Sequence, residues 1–177
     1  MIDAKERDIL NSGMKVIWII WGAMLASLGI YIIVGHMVIA KIKMAEMSPD
    51  VFSLLRNALY VVAVIELAII PFMRKIMLKA SPKETQSSAG YQIPGIVTHP
   101  ALGRYTTVTI VSLALAESIA IYGLLLLLIG KDFQSFYVLT AVSAVAMLVY
   151  RPKMDEVEKL AIALKGENFG DYYMRKK

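Results

Sequence analysis

The sequence predicts an all-α integral membrane protein, a four-helix bundle followed by an amphipathic helix in the cytoplasm. Composition is the first observation, because 58% of the 177 residues are hydrophobic and the mean hydropathy is +0.61, values that ordinary soluble domains do not combine. The second observation is a set of four apolar runs separated by polar segments. Helices are expected in these runs because open strands leave backbone groups without hydrogen-bond partners in lipid.

The four apolar runs are predicted to be membrane spans at residues 16–40, 52–73, 105–130 and 133–150. The first run has no Asp, Glu, Lys or Arg, and at about 1.5 Å per residue it exceeds the roughly 30 Å hydrocarbon layer. A charged stretch precedes it and no small-residue cleavage pattern follows it, which predicts a retained signal anchor. These spans make up the predicted transmembrane domain, residues 1–150.

The distribution of basic residues predicts the orientation of the spans. Fifteen of the 19 Lys and Arg lie before the first run, between the second and third runs, or after the fourth, and four lie in or beside the other two loops. Because basic segments are retained in the cytoplasm, both termini and the loop 74–104 are expected there. The membrane is expected to be a prokaryotic cytoplasmic (inner) membrane.

Residues 151–177 are predicted to form a cytoplasmic amphipathic helix and a basic tail. Apolar residues recur there at three- and four-residue spacing, which is typical of a helix with one apolar face: Met154, Val157, Leu160, Ala161 and Leu164. The helix is predicted over 153–165, ending at Gly166. Two arrangements are open, one on the membrane surface or a partner protein and one over the protein's own cytoplasmic helix ends.

Glu66 and Glu117 are the only carboxylates inside the predicted spans. An ionised carboxylate in hydrocarbon costs several kcal/mol, so each needs hydrogen-bond partners or a bound proton. Counted from the cytoplasmic helix ends, Glu117 lies near mid-membrane and Glu66 about 8 Å closer to the interface at 1.5 Å per residue. We therefore expect function to depend on Glu117, and Glu66 to serve the packing of helices.

No Lys or Arg lies at the depth of either carboxylate, so hydroxyl groups are the expected partners. The candidates on the predicted spans are Ser112, Ser118, Thr140, Ser143, Tyr60 and Tyr122. Among them, Ser118 and Tyr122 are placed with Glu117 and Glu66 in a candidate proton- or ion-binding site. The alternative is a set of neutral hydrogen bonds that hold the helices together.

A short internal repeat links the first and third runs. Ser27-Leu28-Gly29-Ile30-Tyr31 in the first run is similar to Ser118-Ile119-Ala120-Ile121-Tyr122 in the third. Hairpin duplication is common among membrane proteins. The similarity suggests two helical hairpins in the same orientation.

The sequence around Glu117 resembles the carboxylate helix of rotary ATPase proteolipids, the c subunits of the proton-translocating ring. The resemblance covers residues 113–124, which read Leu-Ala-Leu-Ala-Glu-Ser-Ile-Ala-Ile-Tyr-Gly-Leu. It implies that Glu117 corresponds to the carboxylate that carries a proton or sodium ion. The second run differs from the glycine-rich helix of that family, since residues 57–73 contain no glycine.

Composition also narrows the classes of function. The chain has no cysteine and two histidines, which argues against thiol chemistry and a histidine-ligated metal, and no metal or cofactor is expected. Basic residues flank apolar runs instead of alternating with aromatics, so nucleic acid is not an expected partner. No nucleophile–base pair or phosphate-binding loop is visible, so an enzyme is the least favoured class.

Two functions are therefore carried forward. The first is a small membrane protein that moves or senses protons or another monovalent cation through an intramembrane carboxylate, as a homo-oligomer or within a larger membrane complex. The alternative is a non-catalytic membrane subunit or scaffold whose cytoplasmic loop and tail bind a partner.

Overall fold

A computed structural model describes the backbone of residues 4–40, 48–79 and 99–174, and the side chains of 6–40, 48–79 and 99–164. Within these ranges the chain is all-α, as predicted. Five helices follow one another: α1 Ala4–Ile39, α2 Pro49–Lys79, α3 Pro100–Gly130, α4 Phe133–Val149 and α5 Met154–Met174.

Two of the described helices are long and apolar enough to cross a membrane, α1 over Glu6–Ile39 and α3 over its whole length. A third span is possible if α4 and the first part of α5, Met154–Leu164, act together, since a bend of 51° separates them. These findings agree with the prediction of a membrane protein with transmembrane helices.

Helix α3 is the centre of the fold, because α1, α2, α4 and α5 all contact it. Small residues on α3 permit this close packing. A Cβ atom on Gly123 would lie 3.1 Å from the backbone oxygen of Phe136 and 3.2 Å from the Cβ of Leu139 on α4. Gly123 therefore lets these two helices approach closely.

The turn between α3 and α4 is short and well defined. Lys131 adopts a left-handed conformation with φ of 52°, and its N–H donates to the Leu127 carbonyl, which ends α3. Asp132 then begins α4 by accepting hydrogen bonds from the backbone N–H and the hydroxyl of Ser135, at 2.9 and 2.6 Å. The break between α3 and α4 thus lies at the residues that separate the third and fourth apolar runs.

Two predicted boundaries differ from the structure. The predicted loop 74–104 is helical at both ends, because α2 continues to Lys79 and α3 begins at Pro100. His99 makes the earlier start of α3 possible, since its Nδ1 accepts the Ala101 N–H at 3.2 Å and caps the helix. The remainder of that loop, residues 80–98, lies outside the described residues.

The prediction that Gly166 ends the last helix is wrong, because α5 continues to Met174. Glycine inside a helix costs only about 1 kcal/mol relative to alanine, so a single glycine does not by itself end a helix.

The first part of α5 packs against the protein's own helices. Val157 and Ala161 are fully buried and lie in one cluster with Leu10 of α1 and with Leu102 and Tyr105 of α3. Of the two arrangements left open by the sequence, the structure thus has the amphipathic helix covering the ends of α1 and α3.

Candidate functional site: two carboxyl groups between apolar helices

Glu117 of α3 contacts two hydroxyl groups of α1. Its Oε1 atom lies 2.5 Å from Ser27 Oγ and 2.7 Å from the Tyr31 hydroxyl. Ser27 and Tyr31 are four residues apart, so they lie on the same face of α1, one turn apart. All three side chains are half-buried.

Glu66 of α2 contacts two hydroxyl groups of α3 in the same way. Its Oε2 atom lies 2.7 Å from Ser118 Oγ, and its Oε1 atom lies 2.7 Å from the Tyr122 hydroxyl. Ser118 and Tyr122 are again four residues apart and share one helix face. Both hydroxyls and the carboxyl group are half-buried.

The two sites use one sequence pattern, a serine followed four residues later by a tyrosine. These are the first and last residues of the internal repeat, Ser27 to Tyr31 in α1 and Ser118 to Tyr122 in α3. In each case the pair faces a glutamate on a neighbouring helix. The repeat therefore has a structural counterpart, a carboxyl site formed twice.

The two carboxyl sites lie beside one another along α3. Glu117 belongs to one site and Ser118, the next residue, to the other. The contact with Ser118 therefore places Glu66 beside the Glu117 site, and not about 8 Å closer to the cytoplasmic interface as expected.

The predicted hydroxyl partners are only partly correct. Ser118 and Tyr122 do hold a carboxyl group, but it is that of Glu66. Ser112 donates to the Val108 carbonyl of its own helix at 2.7 Å. Within the described part of the chain, the buried hydroxyls of Thr140 and Ser143 have no hydrogen-bond partner, and Tyr60 lies in an apolar cluster.

Ser27 and Tyr31 were not among the predicted partners of Glu117. The signal that identifies them is the internal repeat, because the serine and tyrosine of one copy lie in α1 and those of the other in α3. Without the packing of α1 against α3, the sequence does not show which carboxyl group the first copy faces.

A second polar cluster joins α2, α3 and α5 beyond the carboxyl sites. The Arg74 guanidinium, only 9% exposed, pairs with Glu156 and lies over the rings of Tyr105 and Tyr150 at 5.7 and 5.9 Å. The Tyr105 hydroxyl accepts the Lys153 N–H at 2.8 Å. This cluster fixes the start of α5.

Asp132 is a charged residue at the opposite end of the bundle, in the turn between α3 and α4. Burial alone would raise the pKa of its carboxyl group, but hydrogen bonds from Ser135 and the charge of Arg56 at 3.7 Å outweigh burial and lower the pKa. Asp132 is therefore an ionised helix cap, distinct from the two glutamates.

Each of these two carboxyl groups thus has two hydroxyl oxygens of a neighbouring helix within hydrogen-bond distance. Nothing in the described ranges forms a group of three or more His, Cys, Asp or Glu that could hold a metal ion. No protein-family model matches the chain, and comparisons with characterised proteins and with solved structures also give no match.

Proposed function

We propose that this protein moves or senses protons or another monovalent cation across a membrane through the carboxyl groups of Glu117 and Glu66. One observation carries the proposal: each glutamate lies at the middle of a helix and is held by two hydroxyl groups from a neighbouring helix. Hydroxyl oxygens can donate to an ionised carboxylate and can also accept from a protonated one. Such a site suits a carboxyl group that gains and loses a positive ion.

The degree of burial supports reversible binding. Both glutamates are half-buried at the surface of the bundle. Neither carboxyl group is sealed inside the bundle, so an ion could be exchanged at a boundary with another subunit, while the apolar neighbours disfavour an uncompensated charge. The resemblance of residues 113–124 to the carboxylate helix of rotary ATPase proteolipids points to the same class of function, as a homo-oligomer or a subunit of a larger complex.

The proposal includes four membrane spans with both termini in the cytoplasm. Helix α2 fits a span because its apolar face points away from the bundle, with Val64 and Phe72 each 64% exposed. Helix α4 has 17 residues, about 25 Å at 1.5 Å per residue. The buried cluster around Arg74 would then lie at the cytoplasmic surface.

Ion movement by the purified protein in liposomes tests the proposal. With an imposed pH or sodium gradient, the wild-type protein should dissipate the gradient, and Glu117→Gln should abolish this activity because an amide cannot gain or lose the ion. Glu158→Gln is the matched control, since Glu158 lies in α5 and pairs with Arg7 at 3.3 Å. Equal rates for wild type and Glu117→Gln would contradict the proposal.

The alternative function is that of a membrane scaffold. It is supported by the same contacts, because Glu117 connects α3 with α1 and Glu66 connects α2 with α3. In a scaffold these hydrogen bonds would only hold helices together, and Glu117→Gln would be silent because glutamine keeps the shape and the hydrogen-bonding capacity of the acid.

A further inference from the structure

A groove lies between α2 and α4 at the surface of the bundle. Both helices pack against α3 and make little contact with one another. The groove is lined by Leu67 of α2 and by residues of α4 that recur every three or four positions and so share one helix face: Ala141, Val142, Val145, Ala146, Val149 and Tyr150. Apart from the Tyr150 hydroxyl these side chains are apolar, so the walls of the groove suit a hydrocarbon chain.

The groove ends at the guanidinium of Arg74. Arg74 follows Leu67 by seven residues, which places both on the same face of α2, two turns apart. The Arg74 guanidinium lies 5.9 Å from the centre of the Tyr150 ring, the last lining residue on the other wall. In the proposed topology α2 and α4 both run towards the cytoplasm, so an apolar groove in the membrane leads to a cation at the cytoplasmic surface.

One nitrogen atom of Arg74 lacks a hydrogen-bond acceptor. The side chain is nine-tenths buried, and its Nη2 atom pairs with Glu156 and donates to the Tyr105 hydroxyl at 3.4 Å. Its Nη1 atom is buried and has no hydrogen-bond partner among the described residues. A buried donor without an acceptor is unfavourable, and more so when it is charged. An anionic oxygen would be the strongest acceptor for this atom.

The charges beside Arg74 also favour an anion. Glu156 pairs with Arg74 through one carboxylate oxygen, and Lys153 Nζ lies 3.9 Å from the other. Two cations therefore share this carboxylate. Arg151, between Tyr150 and Lys153, is exposed and adds a third positive charge. Glu156 alone does not neutralise this end of the groove.

We propose that the groove binds one anionic phospholipid of the cytoplasmic leaflet, with an acyl chain between α2 and α4 and with its phosphate accepting hydrogen bonds from Arg74. The half-buried Tyr150 ring, at the rim beside Arg74, turns aside to admit the phosphate to Nη1. A free phosphate ion would lack the apolar contacts, and a helix of a partner protein would leave Nη1 without an anionic acceptor. The inference uses the proposed spans and orientation and does not depend on ion movement.

Native mass spectrometry of the full chain released from detergent micelles tests the inference. One phosphatidylglycerol per chain should bind at about tenfold lower concentration than phosphatidylcholine, whose choline cancels the charge of its phosphate. Inorganic phosphate at the same concentration should not displace the lipid, because it has no acyl chain. Equal binding of the two lipids, or displacement by inorganic phosphate, would overturn the inference.

A variant that fills the groove tests where the lipid binds. Val145→Trp should abolish the binding of phosphatidylglycerol, and the fold should tolerate this change because Val145 is 60% exposed. Val138→Trp is the matched control, since Val138 is 44% exposed on the same helix and does not line the groove. Lipid binding by Val145→Trp at the wild-type level would contradict the inference. So would the dissociation of a dimer of this chain with lipid binding retained, because the groove would then be a contact between two copies.

Two glutamine variants separate recognition of the phosphate from the ion pair. Arg74→Gln should weaken the binding of phosphatidylglycerol about tenfold, because a charged hydrogen-bond donor is lost. Glu156→Gln breaks the same ion pair but keeps the guanidinium, and should bind the lipid at least as tightly as the wild type. An equal loss in both variants would show that the lipid depends on the ion pair and not on Arg74 itself, and would overturn the inference. Wild-type protein that binds the lipid but moves no ions would reject the proposed function alone.

Discussion

At the scale of single residues, two tyrosines differ from the other aromatic side chains on these helices. Tyr31 and Tyr122 direct their hydroxyl groups to a carboxyl group on another helix, and of the two only Tyr122 was among the hydroxyl groups that the sequence proposed as partners. Their position four residues after a serine is what gives them this role.

We expect Tyr122→Phe to weaken the association of α2 with α3 by about 1 kcal/mol, the usual size of an interhelical hydrogen bond in a membrane. Tyr31→Phe should weaken that of α1 with α3 by a similar amount. The free energy of unfolding in mixed detergent micelles measures both effects. Tyr60→Phe is the control, because Tyr60 lies in an apolar cluster. If the free energy of unfolding falls by as much in this variant, the hydroxyl groups of Tyr31 and Tyr122 have no special role.

At the scale of elements, the position of α5 is the main result that the sequence left open. Its apolar face is the same in both arrangements, so helical periodicity cannot choose between a membrane surface and the bundle itself. The pairing of Arg74 with Glu156 and the burial of Val157 between α1 and α3 decide for the bundle. The choice depends on contacts between residues far apart in the sequence, such as Arg74 and Glu156, which are separated by 82 positions.

Replacing Val157 by Asp should release the first part of α5 from the bundle. Val157 is fully buried, and a carboxylate there would have no partner for its charge. Hydrogen exchange over residues 154–164 should then increase strongly while exchange in α3 stays slow. Ile162→Asp is the matched control on the same helix, because Ile162 is 52% exposed. If hydrogen exchange over residues 154–164 stays slow in Val157→Asp, contacts other than those of Val157 hold α5 on the bundle.

At the scale of the whole molecule, α3 is the helix through which the other described helices are joined. It supplies Glu117 to one carboxyl site and Ser118 with Tyr122 to the other, and it contacts each of the other four helices. A movement of α3 relative to α1 or α2 would therefore change the surroundings of both glutamates together. The proposed orientation of this bundle determines from which side of the membrane each carboxyl site can bind or release an ion.

Single cysteines test the orientation, and the natural chain contributes no cysteine background. The thiol of Ser88→Cys should react only with reagents that cross the membrane and reach the cytoplasm. Lys131→Cys, in the exposed turn between α3 and α4, should react with impermeant reagents from outside the cell, as should Met47→Cys. Labelling of Ser88→Cys from outside would reverse the proposed topology.

The sequence by itself determined that the protein is helical, where α3 and α4 meet, and that two carboxyl groups lie inside apolar runs. These features are local, because run length, helix caps and the cost of an unpaired charge depend on neighbouring residues only. The partners of each glutamate were decided by the tertiary structure. A helix turns by about 100° per residue, so which hydroxyl meets which carboxyl depends on how α1, α2 and α3 are rotated against one another. Ala116 and Ala120 of α3 lie buried in the cluster where these helices pack, and the resulting arrangement places Ser27 and Tyr31 at Glu117, and Ser118 and Tyr122 at Glu66.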